Sequence, residues 1–65
     1  MKLSRRETEI IVLIASGLPD KEIAQSLKIS IRTVQTNVTR ICLKLGARNR
    51  PHAVTKVFLK ALNYT

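Results

Sequence analysis

Between positions 31 and 45 the chain sets out Arg32, Thr33, Gln35, Thr36, Asn37, Thr39, Arg40 and Lys44. These are cations, amides and hydroxyls, with no carboxylate among them. Such side chains donate and accept hydrogen bonds and neutralise anions. Without an activated partner they do not make or break covalent bonds. The chemistry they can do is recognition of a negatively charged surface that also offers hydrogen-bonding groups. On a helix, at about 100° per residue, Arg32, Gln35, Thr36, Thr39 and Arg40 share one face, with Thr33, Asn37 and Lys44 flanking it. Ile31, Val34, Val38, Ile41 and Leu45, spaced 3, 4, 3 and 4, share the opposite one. No acidic residue occurs from Lys28 to the end of the chain. A solvated helix usually mixes both signs for support between neighbouring turns.

The remaining residues exclude most other chemistries. Cys42 is the single cysteine and His52 the single histidine, so no intrachain disulfide, Cys-based zinc site or His cluster can be assembled. Glu7, Glu9, Asp20 and Glu22 are the only acids, too few for a metal cage or a catalytic carboxylate pair. Gly17 and Gly46 are the only glycines, which rules out a glycine-rich phosphate loop. No nucleophile is paired with a base. The expectation is a binding protein with no catalytic residue, no metal and no cofactor.

Lys and Arg number 12 against those 4 acids, a formal net charge of +8. Such a chain suits a polyanionic partner, nucleic acid first and an anionic membrane surface second. Its 65 residues, 45% apolar, make one small domain over 1–65. A domain this size buries only about 60% of its unfolded surface, so dimerisation or ligand binding would add stability. The longest apolar run, Ile10 to Ala15, is far short of the ~20 residues of a membrane span. Met1, Lys2, Arg5 and Arg6 before that run have the outline of a signal peptide. Glu7 and Glu9 interrupt it and its loss would remove much of the core, so a leader is not expected.

Local signals divide the chain into four helices. Ser4 and Glu7 form a capping box for a helix over 5–16, and Gly17 suits its C-terminal turn. Its apolar face is Ile10, Ile11, Leu13 and Ile14. Asp20 after Pro19 is the expected N-cap of a short helix over 21–27, with Ile23, Ala24 and Leu27 inward. Ser30 caps the helix over 31–45, and Gly46 follows it. Asn49 and Pro51 start a fourth helix over 50–62. Its stripe of Ala53, Val54, Val57, Phe58 and Ala61, widened by Leu59 and Leu62, is read as mostly core, with part of it left for self-association. Cys42 reads as a buried thiol, His52 as solvated, and Glu7 and Glu22 as charges suited to helix N-termini.

The predicted fold is therefore all-α, a compact four-helix domain. Its second and third helices, joined by a three-residue turn, make a helix-turn-helix. A B-DNA major groove is about 12 Å wide and accepts one helix. An inserted helix must be apolar where its domain grips it and polar where it meets bases, as the 31–45 segment is. Arg5, Arg6, Lys21, Arg48 and Arg50 are available for phosphates, although each of the four arginines serves solubility equally well.

The joint order of motifs resembles a known family. Leu3-Ser4-Arg5-Arg6-Glu7, Gly17-Leu18-Pro19-Asp20-Lys21-Glu22-Ile23-Ala24, Ile29-Ser30-Ile31-Arg32-Thr33-Val34-Gln35, Lys44-Leu45-Gly46-Ala47-Arg48-Asn49-Arg50 and Ala53-Val54 are similar to the LuxR/GerE-type helix-turn-helix domain. The likeness covers nearly the whole chain. It implies a four-helix bundle with its third helix in the major groove of double-stranded DNA, and a role in bacterial transcriptional control. It also implies homodimers paired through the fourth helix, for which Val54, Val57, Phe58 and Ala61 are the candidate contacts. In that family the domain often follows a receiver domain, as in response regulators, or a ligand-sensing one, and some members stand alone. RNA polymerase is a further candidate partner, a membrane is not, and the expected location is the cytoplasm, on the nucleoid.

Carried over by position, Thr33, Gln35, Thr36 and Thr39 fall where the family's recognition helix faces bases and nearby phosphates. Asn37 and Arg40 fall beside the backbone, and Lys21 at the start of the scaffold helix. Gln35 and Thr39 stand where the family often has Lys or Arg, and Asn37 where it often has His. With amides in place of cations, Gln35 suits adenine, whose N6 and N7 it can meet together. Leu43 stands where the family usually has a charge, which leaves a thymine contact, an interface or no role open. A promoter-binding domain like region four of a sigma factor, and a basic protein-interaction or membrane-surface module, are the competing readings.

Overall fold

The computed structural model describes residues 2–63. Four helices follow in order, α1 (Arg5–Ala15), α2 (Asp20–Leu27), α3 (Ile31–Leu45) and α4 (Arg50–Ala61), and no strand occurs among the described residues. α3 packs against all three of the others and is the centre of the bundle.

Most boundaries follow from local hydrogen bonding. The Ser4 hydroxyl accepts from the Glu7 amide at 3.1 Å, and the Glu7 carboxylate accepts from the Ser4 amide at 2.8 Å. This closes the capping box that starts α1. The helix ends at Ala15, and Gly17 turns the chain at φ 93°, a conformation a side chain would strain. Ser30 caps α3 by accepting from the Thr33 amide at 3.0 Å, and Gly46 ends it at φ 65°. Asn49 caps α4 by accepting from the His52 amide at 2.9 Å, with Pro51 in the first turn.

α2 departs from the sequence reading. Pro19 is its N-cap and makes no side-chain cap, while Asp20 is already helical. The Asp20 carboxylate is instead held by Arg50, thirty residues away. A charge-assisted fork on an arginine outcompetes a single bond to a backbone amide. At the other end Lys28 takes the left-handed conformation, φ 57°, without a glycine. Its amide and that of Ile29 close the last turn on carbonyls of α2.

The core is Ile10 and Ile11 of α1, Ile23 and Ala24 of α2, Val34 and Ile41 of α3, and Ala53 of α4. Leu13, Ile14, Leu27, Val38, Cys42, Leu45, Val54 and Val57 pack around it, half-buried. Two expected stripes are narrower than the sequence reading. Ile31 is 44% exposed, whereas Asn37 is only 8% exposed. The buried meridian of α3 runs through Val34 and Ile41. At about 100° per residue Ile31 lies some 70° from it on one side and Asn37 some 50° on the other. Asn37 can enter because its Nδ2 donates to the Thr33 carbonyl at 2.8 Å.

On α4 the core ends before the helix does. Ala53 is buried, but Lys60, seven residues on and so on nearly the same meridian, is exposed. Phe58, about 140° round from Ala53, is 61% exposed, and Ala61 and Leu62 are exposed with it. The α4 stripe is therefore not mostly core: its outer half lies on the surface.

Candidate nucleic-acid interface

α3 turns one long face to the outside. Arg32, Thr33, Gln35, Thr36, Thr39 and Arg40 are all exposed on it. Two of these are tethered locally. The Thr33 hydroxyl is 2.8 Å from the Ser30 hydroxyl, and the Thr39 hydroxyl donates to the Gln35 carbonyl at 3.2 Å. A threonine bonded to its own backbone is rotationally restricted, so less freedom is lost on contact with a partner. Gln35, Arg32 and Arg40 remain exposed to solvent beside them. The face can hydrogen-bond a flat, anionic surface along two to three turns.

Two of the nine expected contact residues are engaged elsewhere. Asn37 is buried and spends its amide on the Thr33 carbonyl. Lys44 leaves the outer face: its Nζ lies 2.8 Å from Oε1 of Glu7, which is 3% exposed. The hydrogen bond from Lys44, with that from the Ser4 amide, holds the Glu7 carboxyl below its ordinary value against the opposing effect of burial. Glu7 therefore does more than suit a helix N-terminus. It is a buried anion that ties α1 to the C-terminal end of α3, a role no local spacing announces.

Lys21 is exposed in the first turn of α2, the helix that precedes the turn into α3. Arg5 and Arg48 are exposed too, and Arg6 pairs with Glu9 at 3.6 Å on α1. Arg50 is different. Its Nη atoms meet both oxygens of Asp20 at 2.6 and 3.2 Å, joining the starts of α2 and α4. That fork depresses the Asp20 carboxyl against desolvation, with a smaller hydrogen-bond contribution from Gln35, and raises the Arg50 guanidinium. Asp20 thus comes close to Gln35 on the outer face, but its charge is already paired with Arg50. His52, expected to be solvated, is half-buried, and its Nδ1 accepts from the Arg48 amide at 3.0 Å. Of the expected dimer contacts, Phe58 and Ala61 are exposed, whereas Val54 and Val57 are half-buried against the core.

The pattern of the family described as bacterial regulatory proteins, luxR family, matches residues 1–57. The oxygen regulatory protein NreC of Staphylococcus aureus strain JH9 is 45% identical over 60 residues. The match takes in 92% of this chain and 28% of that protein. The NreC proteins of strains JH1 and USA300 match to the same extent. The chain spans little more than a quarter of the length of these relatives. With a helix-turn-helix, a cationic outer face on its central helix and this match over most of its length, the chain belongs to the luxR family of bacterial regulatory proteins, as a DNA-binding domain of a transcription regulator.

Proposed function

We propose that α3 enters the major groove of duplex DNA and that the chain acts as one domain reading an operator as a homodimer. The observation that carries this is the uninterrupted outer face of Arg32, Thr33, Gln35, Thr36, Thr39 and Arg40. Arg32, Arg40 and Lys21 neutralise phosphates and release counterions, which supplies affinity independent of sequence. Gln35, Thr36 and Thr39 meet base edges, with Gln35 on adenine, and Thr33 hydrogen-bonds a nearby phosphate. Asn37 and Lys44 act from behind, Asn37 by bracing the first turns of α3 and Lys44 by anchoring its end.

The dimer would form through the outer side of α4, where Phe58 and Ala61 lie exposed and Val54 and Val57 border them. A two-fold pair would set two copies of α3 about one DNA turn apart on a pseudo-palindrome. RNA polymerase is a further candidate partner for the bound dimer, whose place of work is the nucleoid of the cytoplasm. The similarity to an oxygen regulatory protein suggests a place in a signal-responsive regulator. The reading assigns no catalytic step.

Selection from random duplexes at low and high salt tests the proposal. The expected result is one enriched motif, repeated in half-sites about 10 base pairs apart, with affinity falling steeply as salt rises. Equal recovery of all sequences in both arms would refute it. Tight binding to anionic vesicles without duplex preference would favour a membrane-surface module.

A further inference from the structure

Leu43 is 77% exposed, more than any other large apolar side chain that stands exposed. It lies about 180° from Val34, directly opposite the buried meridian of α3. Thr36 precedes it by seven residues, within about 20° round the helix and about 10.5 Å along it. A rod that lays Thr36 against base edges therefore carries Leu43 on the same side, two turns further along the groove. The cation next to it in the chain is withdrawn, because the Lys44 ammonium is folded back to Glu7 at 2.8 Å. What remains at the end of an otherwise polar face is one branched hydrocarbon.

We infer that Leu43 is a specificity-determining residue, which packs its isobutyl group against the 5-methyl group of a thymine in the major groove. The inference rests on the DNA reading proposed above. In that groove the thymine methyl is the one apolar feature of a base edge, and cytosine, adenine and guanine present polar atoms there. A net charge of +8 and the acid-free outer face bring the duplex to this surface. Leu43 then discriminates without a hydrogen bond, at a position displaced from the contacts of Gln35.

The test compares the 65-residue chain with its Leu43→Ala variant, whose fold should be unaffected at so exposed a site. Each is first passed through random-duplex selection. The wild-type site is then remade with one thymine at a time replaced by deoxyuridine, which lacks only the 5-methyl group. For the wild type, one thymine toward the C-terminal end of α3 should show a loss of about fourfold, the value of one methyl removed from water. Leu43→Ala should show no loss at that thymine and unchanged losses elsewhere. Equal uracil penalties for both proteins at every thymine would overturn the contact, as would a selected site without a thymine at that end. So would a Leu43→Ala variant that alters self-association in sedimentation and leaves the uracil pattern alone. If the wild type selects no site at all, the DNA reading fails and the contact with it. A site selected without a Leu43-dependent thymine removes only the contact.

Discussion

The Nζ of Lys44, in the last turn of α3, lies 2.8 Å from Oε1 of Glu7 in the first turns of α1. The pair joins elements 37 residues apart in the chain and satisfies a carboxylate that water barely reaches. A buried pair of this kind adds little over a well-packed apolar one, but removing one partner strands the other. The lysine, still about a quarter exposed, can send its head to water; the carboxylate cannot.

Lys44→Ala should therefore destabilise the domain by about 2–3 kcal/mol, and Glu7→Gln by clearly less. Glutamine can keep the bond from the Ser4 amide and so retains the capping box. Urea unfolding followed by circular dichroism measures both. Duplex affinity of Lys44→Ala, taken well below its melting temperature, should stay close to wild type. A large loss there would return Lys44 to the DNA-contacting set.

Acid should unfold the domain through the same carboxylates. The Glu7 carboxyl is held below its ordinary 4.5, chiefly by Lys44, and the Asp20 carboxyl below its ordinary 3.8, chiefly by Arg50. A depressed pKa contributes stability that is fully present above the unfolded value and is lost as pH falls through the folded one. Stability should thus hold down to about pH 5 and fall below it. In Lys44→Ala the acid-dependent loss should be smaller, because Glu7 no longer has a stabilised anion to forfeit. Urea midpoints at intervals from pH 6 to pH 3 would check this, and an identical pH dependence in both proteins would contradict it.

Gln35→Ala and Lys21→Ala should differ in kind. The first should relax base preference at one position of each half-site, by roughly 1–3 kcal/mol of discrimination. The second should weaken all duplexes alike and reduce the salt slope by about one unit. Affinities for single-base variants of the selected site, at two salt concentrations, separate these outcomes. A uniform loss from both substitutions would mean that Gln35 reads no base.

Phe58→Glu should leave folding nearly unchanged, since the ring is 61% exposed in the monomer. It should abolish cooperative occupancy of paired half-sites while retaining weaker binding to a single one. Sedimentation of the free chain and gel shifts on full and half operators give the readout. Undiminished cooperativity would move the dimer contact away from this side of α4.

The helices were legible in the sequence because their ends are decided within four residues. Ser4 with Glu7, Ser30 with Thr33, Asn49 with His52, and Gly17 and Gly46 at positive φ are all short-range bonds or backbone preferences. The outer face of α3 was legible for the same reason, since an intact helix carries its residues round at a constant angle. What spacing could not show depends on neighbours distant in the chain. Asp20 looks like a cap until Arg50 is brought beside it, and Lys44 looks unpaired until Glu7 is.

Local hydrogen bonding and helical periodicity alone thus specify four helices and a cationic, acid-free face suited to DNA. Packing decides which polar groups that face keeps. Asn37 is taken into the core and Lys44 is drawn back to α1, while Phe58 and Leu43 are left outside. The cause is that burial and ion pairing depend on distances between helices, which only their docking around α3 sets.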